Sequence, residues 1–149
     1  MKRIAIQGIA GSFHEDAVQR YFDEEVEVVE CKSFTSVCEV VDTDKAEYAA
    51  MAIENSIAGS LLNNYQLIRD YHLKIIGEIY IHIQMNLMTF EGVSKEDITD
   101  IHSHTIALKQ CAEYLEKYFP NARLHEMSDT AASAKFISEE NPKGAAAIG

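Results

Sequence analysis

Between Arg3 and Gly149 the chain switches repeatedly between two hydrophobic periods, and that switching constrains its fold more than any other feature. "RIAIQG" alternates apolar and polar residues up to Gly8, the pattern of a strand. "GSFHEDAVQRYF" then places Phe13, Ala17 and Tyr21 on one helical face, with Ser12 as N-cap and Glu15 as its capping-box partner. "EVEVVEC" reads as a strand. "SFTSVCEVVDT" reads as a helix capped by Ser33, with Phe34, Val37 and Val41 on one side. "YAAMAIENS" is a further strand, and "GSLLNNYQLIRDY" a helix with Leu61, Tyr65 and Ile68 aligned. The strongest strand signal is "KIIGEIYIHIQMNLMTF", where Ile79, Ile81, Ile83, Met85 and Leu87 share one side. It is longer than the usual strand of ~5–6 residues, so it bends or crosses between lobes.

After the charged turn "EGVSKED" the pattern restarts. "ITDIHSH" is a strand, and "TIALKQCAEYLEKYF" a helix with Ala107, Cys111, Tyr114 and Leu115 inward, stopped by Pro120. "ARLHEM" is a strand, "SDTAASAKFISEEN" a helix capped by Ser128 or Asp129, and "AAAIG" a final strand. Alternation of this kind predicts an α/β fold with mostly parallel sheets flanked by helices. The restart predicts two lobes, residues 1–92 and 93–149.

Composition excludes several partners. The formal net charge of −11 lacks the basic footprint that nucleic acid or an anionic membrane surface requires. It leaves room for a small anion, because helix N-terminal amides and hydroxyls bind carboxylates locally. No signal peptide and no long apolar run is recognisable, so a cytoplasmic chain is expected. Cys31, Cys38 and Cys111 form no C-x-x-C pair and read as reduced, buried thiols.

Polar clusters fall where strands give way to helices: "GIAGS", "ENSIAG", "HSHT" and "MSDT". Ligands of open α/β sheets sit at such junctions. The simpler role of any one cluster is a helix cap. "GIAGSF" lacks both the third glycine of a dinucleotide fingerprint and the Lys of a P-loop. His102 and His104 would share a strand face as a metal pair, but no third ligand stands at a suitable spacing. Cys111 lies seven residues after His104, and a core role explains it more simply than a nucleophile does. The residues alone stop at a two-lobed α/β domain for a small anionic ligand.

Taken in order, the clusters resemble the catalytic domain of the prephenate dehydratase family. Gly8 to Phe13 is similar to its opening Gly-x-x-Gly-Ser/Thr-Phe. Glu54, Asn55, Ser56 and Gly59 stand as its Glu-Asn-Ser-x-x-Gly, and Gly77 and Glu78 as its Gly-Glu. Ser103, His104, Gln110, Cys111, Tyr114 and Leu115 match its Ser-His and Gln-Cys-x-x-Tyr/Phe-Leu, and Thr130, Ala131 and Ala134 its Thr-Ala-x-x-Ala. His14, Met85, Thr105 and Asp129 depart from residues frequent in the family.

The resemblance implies a periplasmic-binding-protein type 2-like fold with two lobes around a cleft. It implies a carbon–oxygen lyase: prephenate loses water and CO2 to give phenylpyruvate, toward phenylalanine. No cofactor and no metal is expected. Asn55, Ser103 and Gln110 are implied to bind and orient the substrate, with Thr130, Ser56 and Ser12 as supporting donors. The family's Thr-Arg-Phe, whose Thr is its candidate acid, does not occur among residues 1–149. Truncation before that motif, before a return segment and before an ACT regulatory domain is therefore expected, with little activity from this chain alone. The edge left open predicts a homodimer. Arogenate dehydratase and a non-catalytic carboxylate-binding module of the same fold remain the alternatives.

Overall fold

The computed structural model describes residues 1–56 and 59–149. The chain divides into two compact units, Met1–His82 and Ile83–Gly149. The restart of the sequence pattern predicts a division at residue 92. It falls earlier because strand pairing ties residues 87–89 to the second unit.

In the first unit β1 (Lys2–Gln7) lies between β2 (Val26–Cys31) and β3 (Tyr48–Ala50), all parallel. The period of two sorts its side chains to opposite faces. Ile4 and Ile6 pack with Val18 of α1 (Phe13–Tyr21), while Ala5 packs with Val37 of α2 (Phe34–Asp42). Both faces are therefore covered, and burying each such isoleucine contributes about 1.5–3 kcal/mol. Ser12 caps α1 as expected, its Oγ accepting from the Glu15 N–H at 3.4 Å. Glu15 reaches one residue further back than a standard capping box, accepting from Gly11 N–H at 2.6 Å. Ser33 and Ser36 form a reciprocal box on α2.

The expected third strand ends early, at Ala50. Glu54–Asn55 (β4) turns instead into an antiparallel pair with Gly59–Ser60 (β5). α3 (Leu62–Asp70) does not bury the face expected from Leu61, Tyr65 and Ile68. Tyr65 is exposed, and the buried residue is Asn64, whose Nδ2 donates to Ala52 O at 2.7 Å. A buried amide bonded to a carbonyl of the segment between β3 and β4 has prevailed over the apolar periodicity.

The long alternating run also departs from expectation. Among the described residues, only Leu87–Thr89 (β6) of this run forms a strand, antiparallel to β9 (Ala145–Ile148). Among the described residues, no main-chain hydrogen bond joins residues 74–85 to the rest of the chain. Period-two patterning specifies a pleat, but a strand exists only where a neighbour completes the ladder.

The second unit holds a sheet of order β6-β9-β7-β8, with β7 (Asp100–His104), β8 (Arg123–Met127) and β9 parallel. β9 is buried along its whole length. Ala146 and Ile148 pack with Ile101, Leu108 and Leu115, whereas Ala145 and Ala147 pack with Ile137 of α6 (Thr130–Glu140). The expected single helix after β7 is two, α4 (Thr105–Gln110) and α5 (Ala112–Tyr118), broken at Cys111. Tyr114, expected inward, is 47% exposed, whereas Leu108 on α4 is buried. Cys31, Cys38 and Cys111 are free thiols, the first two buried. Burial raises the pKa of each of the three.

Candidate active site

In the second unit the residues of interest collect at the carboxyl ends of β7 and β9. Ser103 is wholly buried, and its Oγ donates to Ile148 O at 2.6 Å. Thr130, the first residue of α6, lies against Gly149: a Cβ there would stand 3.4 Å from the Thr130 Cβ and 3.1 Å from the Met88 Cε. Gly149 N–H donates to Asn86 O, and Asn86 N–H donates to Gly149 O at 2.8 Å, which extends the ladder past β9. Ser103 and Thr130 thus meet the same strand end from two sides. Gln110 ends α4 and is half-buried. Of the two capping candidates for α6, Asp129 is the cap, accepting from Ala132 N–H at 2.7 Å. The sequence offered no sign of Asn86 or of the Ile148 carbonyl, since neither belongs to a motif.

The histidines do not form the pair considered from sequence. His104 caps α4, its Nδ1 accepting from Ile106 N–H at 3.3 Å. His102 pairs in register with His125, so their rings stack at 4.5 Å. His125 Nε2 donates to Asp100 Oδ1 at 2.7 Å, and Arg123 and Thr99 donate to Asp100 Oδ2, each at 2.8 Å. These donors, Arg123 foremost, hold the Asp100 carboxyl far below the ordinary carboxylate range. Burial, and secondarily the His125 charge, push His102 below its ordinary value, with Asp100 opposing. No group of three or more His, Cys, Asp or Glu side chains among the described residues could hold a metal ion.

This cluster predicts acid sensitivity. A histidine with a lowered folded pKa binds its proton more readily in the unfolded chain. Its contribution is complete above the ordinary value of ~6.5 and lost as pH falls below it. Asp100 acts in the same direction at lower pH, losing its contribution below the unfolded carboxylate value. Thermal melts are expected to show Tm falling between pH 7 and 5.5, with a shallower slope in His102→Phe. One proton sets an upper bound of about 1.4 kcal/mol per pH unit on the difference. An unchanged slope would remove His102 from the account.

In the first unit Ser12 is buried at the start of α1, beside Gly8, whose φ of 110° needs glycine. The turn between them already holds carboxylates: Ala10 N–H donates to Glu30 Oε1 at 2.7 Å and Gly11 N–H to Glu15 Oε2 at 2.6 Å. Glu30 escaped the sequence reading because it sits among the alternating acids of β2. Asn55 lies on β4 and is half-buried, and Ser56 follows it exposed. Ile57 and Ala58 of the same motif lie outside the described residues.

Comparison with known proteins sets these residues in a family. The family model described as prephenate dehydratase matches residues 4–149. The chain belongs to the prephenate dehydratase family. Arogenate dehydratase/prephenate dehydratase 6, chloroplastic, from Arabidopsis thaliana is 33% identical over 146 residues, covering 98% of this chain and 35% of the relative. The chain thus spans about a third of the length of the curated relatives it matches. Among solved structures, the prephenate dehydratase of Arthrobacter aurescens in complex with L-Phe superposes with a TM-score of 0.71 at 27% identity, covering 98% of this chain and 48% of that one. GqqA, a quorum-quenching acylase, superposes at 0.80 and 26% identity, covering 99% and 53%. The prephenate dehydratase match takes in the α/β sheets and every motif from Gly8 to Ala134. No helix among the described residues is long and apolar enough to cross a membrane.

Proposed function

We propose that the chain is the substrate-binding part of a prephenate dehydratase, the lyase that converts prephenate to phenylpyruvate for phenylalanine synthesis. The match to the prephenate dehydratase family over residues 4–149 carries this reading. The chemistry needs an acid to assist departure of the ring hydroxyl and fixed carboxylates so that loss of water and of CO2 align. Asn55, Ser56 and Gln110 hydrogen-bond the substrate, and Thr130 and Ser12 support them at helix N-termini. Ser103 contributes through its bond to Ile148 O, holding the strand end against which Thr130 packs. No metal or cofactor takes part in the proposed step. We also assign the chain a cytoplasmic setting, with its free cysteines reduced, and a homodimeric state.

Calorimetry with prephenate on the purified chain tests the binding role. Asn55→Ala and Gln110→Ala are each expected to weaken prephenate binding by about tenfold, the worth of a hydrogen bond to a charged group. Circular dichroism should stay unchanged. Absent prephenate affinity, or tighter binding of free amino acids, would overturn the reading in favour of a non-catalytic carboxylate-binding module. Arogenate is the second reading, favoured by the names of the plant relatives. Titrating arogenate beside prephenate separates the two.

A further inference from the structure

We propose that Asn64 is a positioning residue of the substrate site: its side-chain amide fixes residues 51–53, the segment that presents Asn55. The role rests on the substrate reading above and deepens it, since Asn64 acts through Asn55.

The segment needs holding. β3 ends at Ala50 and β4 begins at Glu54, so residues 51–53 lie outside the ladders that fix their neighbours. Each of the three is caught by a different residue. Cys38 of α2 donates to Met51 Sδ, sulfur to sulfur at 3.8 Å. Asn64 Nδ2 donates to Ala52 O at 2.7 Å, and Leu61 N–H donates to Ile53 O at 2.8 Å. The first is the weak bond of a thiol, and the third is made by main chain. The Asn64 amide is therefore the strong contact of the three that a single side chain supplies.

Its place on α3 makes the contact firm. Asn64 is buried, while Leu62 and Tyr65 on the same helix are exposed. No side chain among the described residues caps α3, and Asn64 N–H donates to Leu61 O at 2.9 Å in its first turn. One residue thus closes the start of the helix with its main chain and reaches the segment with its side chain. A buried amide has no water to exchange partners with, so the bond to Ala52 persists. Asn55 follows Ala52 by three residues, within about 11 Å of fully extended chain, so a displacement of Ala52 reaches it. Binding groups need to be held to within about 0.5 Å of their productive geometry by the residues behind them. In the sequence Asn64 lies outside the Glu-Asn-Ser-x-x-Gly motif and reads as an ordinary polar helix position.

Calorimetry of prephenate in a double-mutant cycle on the purified chain tests the role. Asn64→Leu keeps the side-chain size and removes the donor. It should raise the prephenate Kd on the order of fivefold, the net worth of one hydrogen bond, against about tenfold for Asn55→Ala. A positioning residue acts through its partner, so the double variant should fall close to Asn55→Ala alone and well short of the product, roughly fiftyfold. A full product would make Asn64 independent of Asn55 and overturn the proposal, as would an Asn64→Leu chain that binds like wild type. Hydrogen exchange on the wild type gives a second readout that needs no variant. If the held segment favours binding, bound prephenate holds the segment in turn, and the Leu61 amide, whose acceptor is Ile53 O, should exchange several-fold more slowly at saturation. An unchanged Leu61 rate would overturn the proposal and leave the substrate reading standing. Absent prephenate affinity in wild type would overturn both.

Discussion

Gly144→Ala is expected to destabilise the second unit by about 2–4 kcal/mol, read as a lower urea midpoint with an unchanged m-value. Gly144 has a φ of 70°, where an L side chain is strained by about 1–2 kcal/mol. The added Cβ would stand 2.8 Å from the backbone oxygen of Asp97 and 3.0 Å from Thr99 Oγ1. The first of these is main chain and cannot rotate away, so overpacking of about 1–3 kcal/mol is added. The same residue joins the starts of two strands: its carbonyl accepts from Thr99 N–H at 2.8 Å and from Asp100 N–H at 3.2 Å, just before β9 begins. Any shift that relieves the contact disturbs the register in which Asp100 faces Ala145. A loss below about 0.5 kcal/mol, the range of an ordinary surface change, would contradict this account.

Ser103→Ala is expected to cost about 1–3 kcal/mol of stability in the absence of any ligand. The hydroxyl is fully buried, and its bond to Ile148 O is short, at 2.6 Å. Removing it leaves a buried carbonyl without that donor, at the strand end that meets Thr130. Chemical denaturation of the ligand-free protein, followed by prephenate titration of the variant, separates two roles. A positioning residue loses stability first and affinity as a consequence. If stability is unchanged and only prephenate affinity falls, Ser103 touches substrate directly and the positioning role is wrong.

Ser103 also shows how far the candidate site was legible. Its type and spacing to Gln110 were visible as motif, as were Asn55, Ser56, Thr130 and Ser12. What each side chain faces was not. The Ser103 partner lies 45 residues away on β9, and Gly149 meets Asn86, 63 residues earlier in the same unit. Contacts of that range follow from sheet order, which hydrophobic period does not encode. Tyr114 and Leu108 are a further case. The helical period marked Tyr114 as inward and passed over Leu108, yet Tyr114 is exposed and Leu108 is buried, because the neighbouring elements decide which residues of a helix are covered.

The sequence by itself determined the alternation of strands and helices, the caps at Ser12 and Ser33, the mostly parallel sheets and the ordered motifs of the family. Period, capping and turn chemistry are local, so they survive without knowledge of neighbours. Only the tertiary structure decided which alternating runs became strands, since "KIIGEIYIHIQM" has every local property of one and finds no ladder within the described residues. It alone decided that His102 stacks on His125, that Asn64 is the buried face of α3, and that Glu15 and Glu30 fill the amides of the first turn. Each of these depends on which elements lie side by side, and main-chain pairing, not side-chain pattern, sets that.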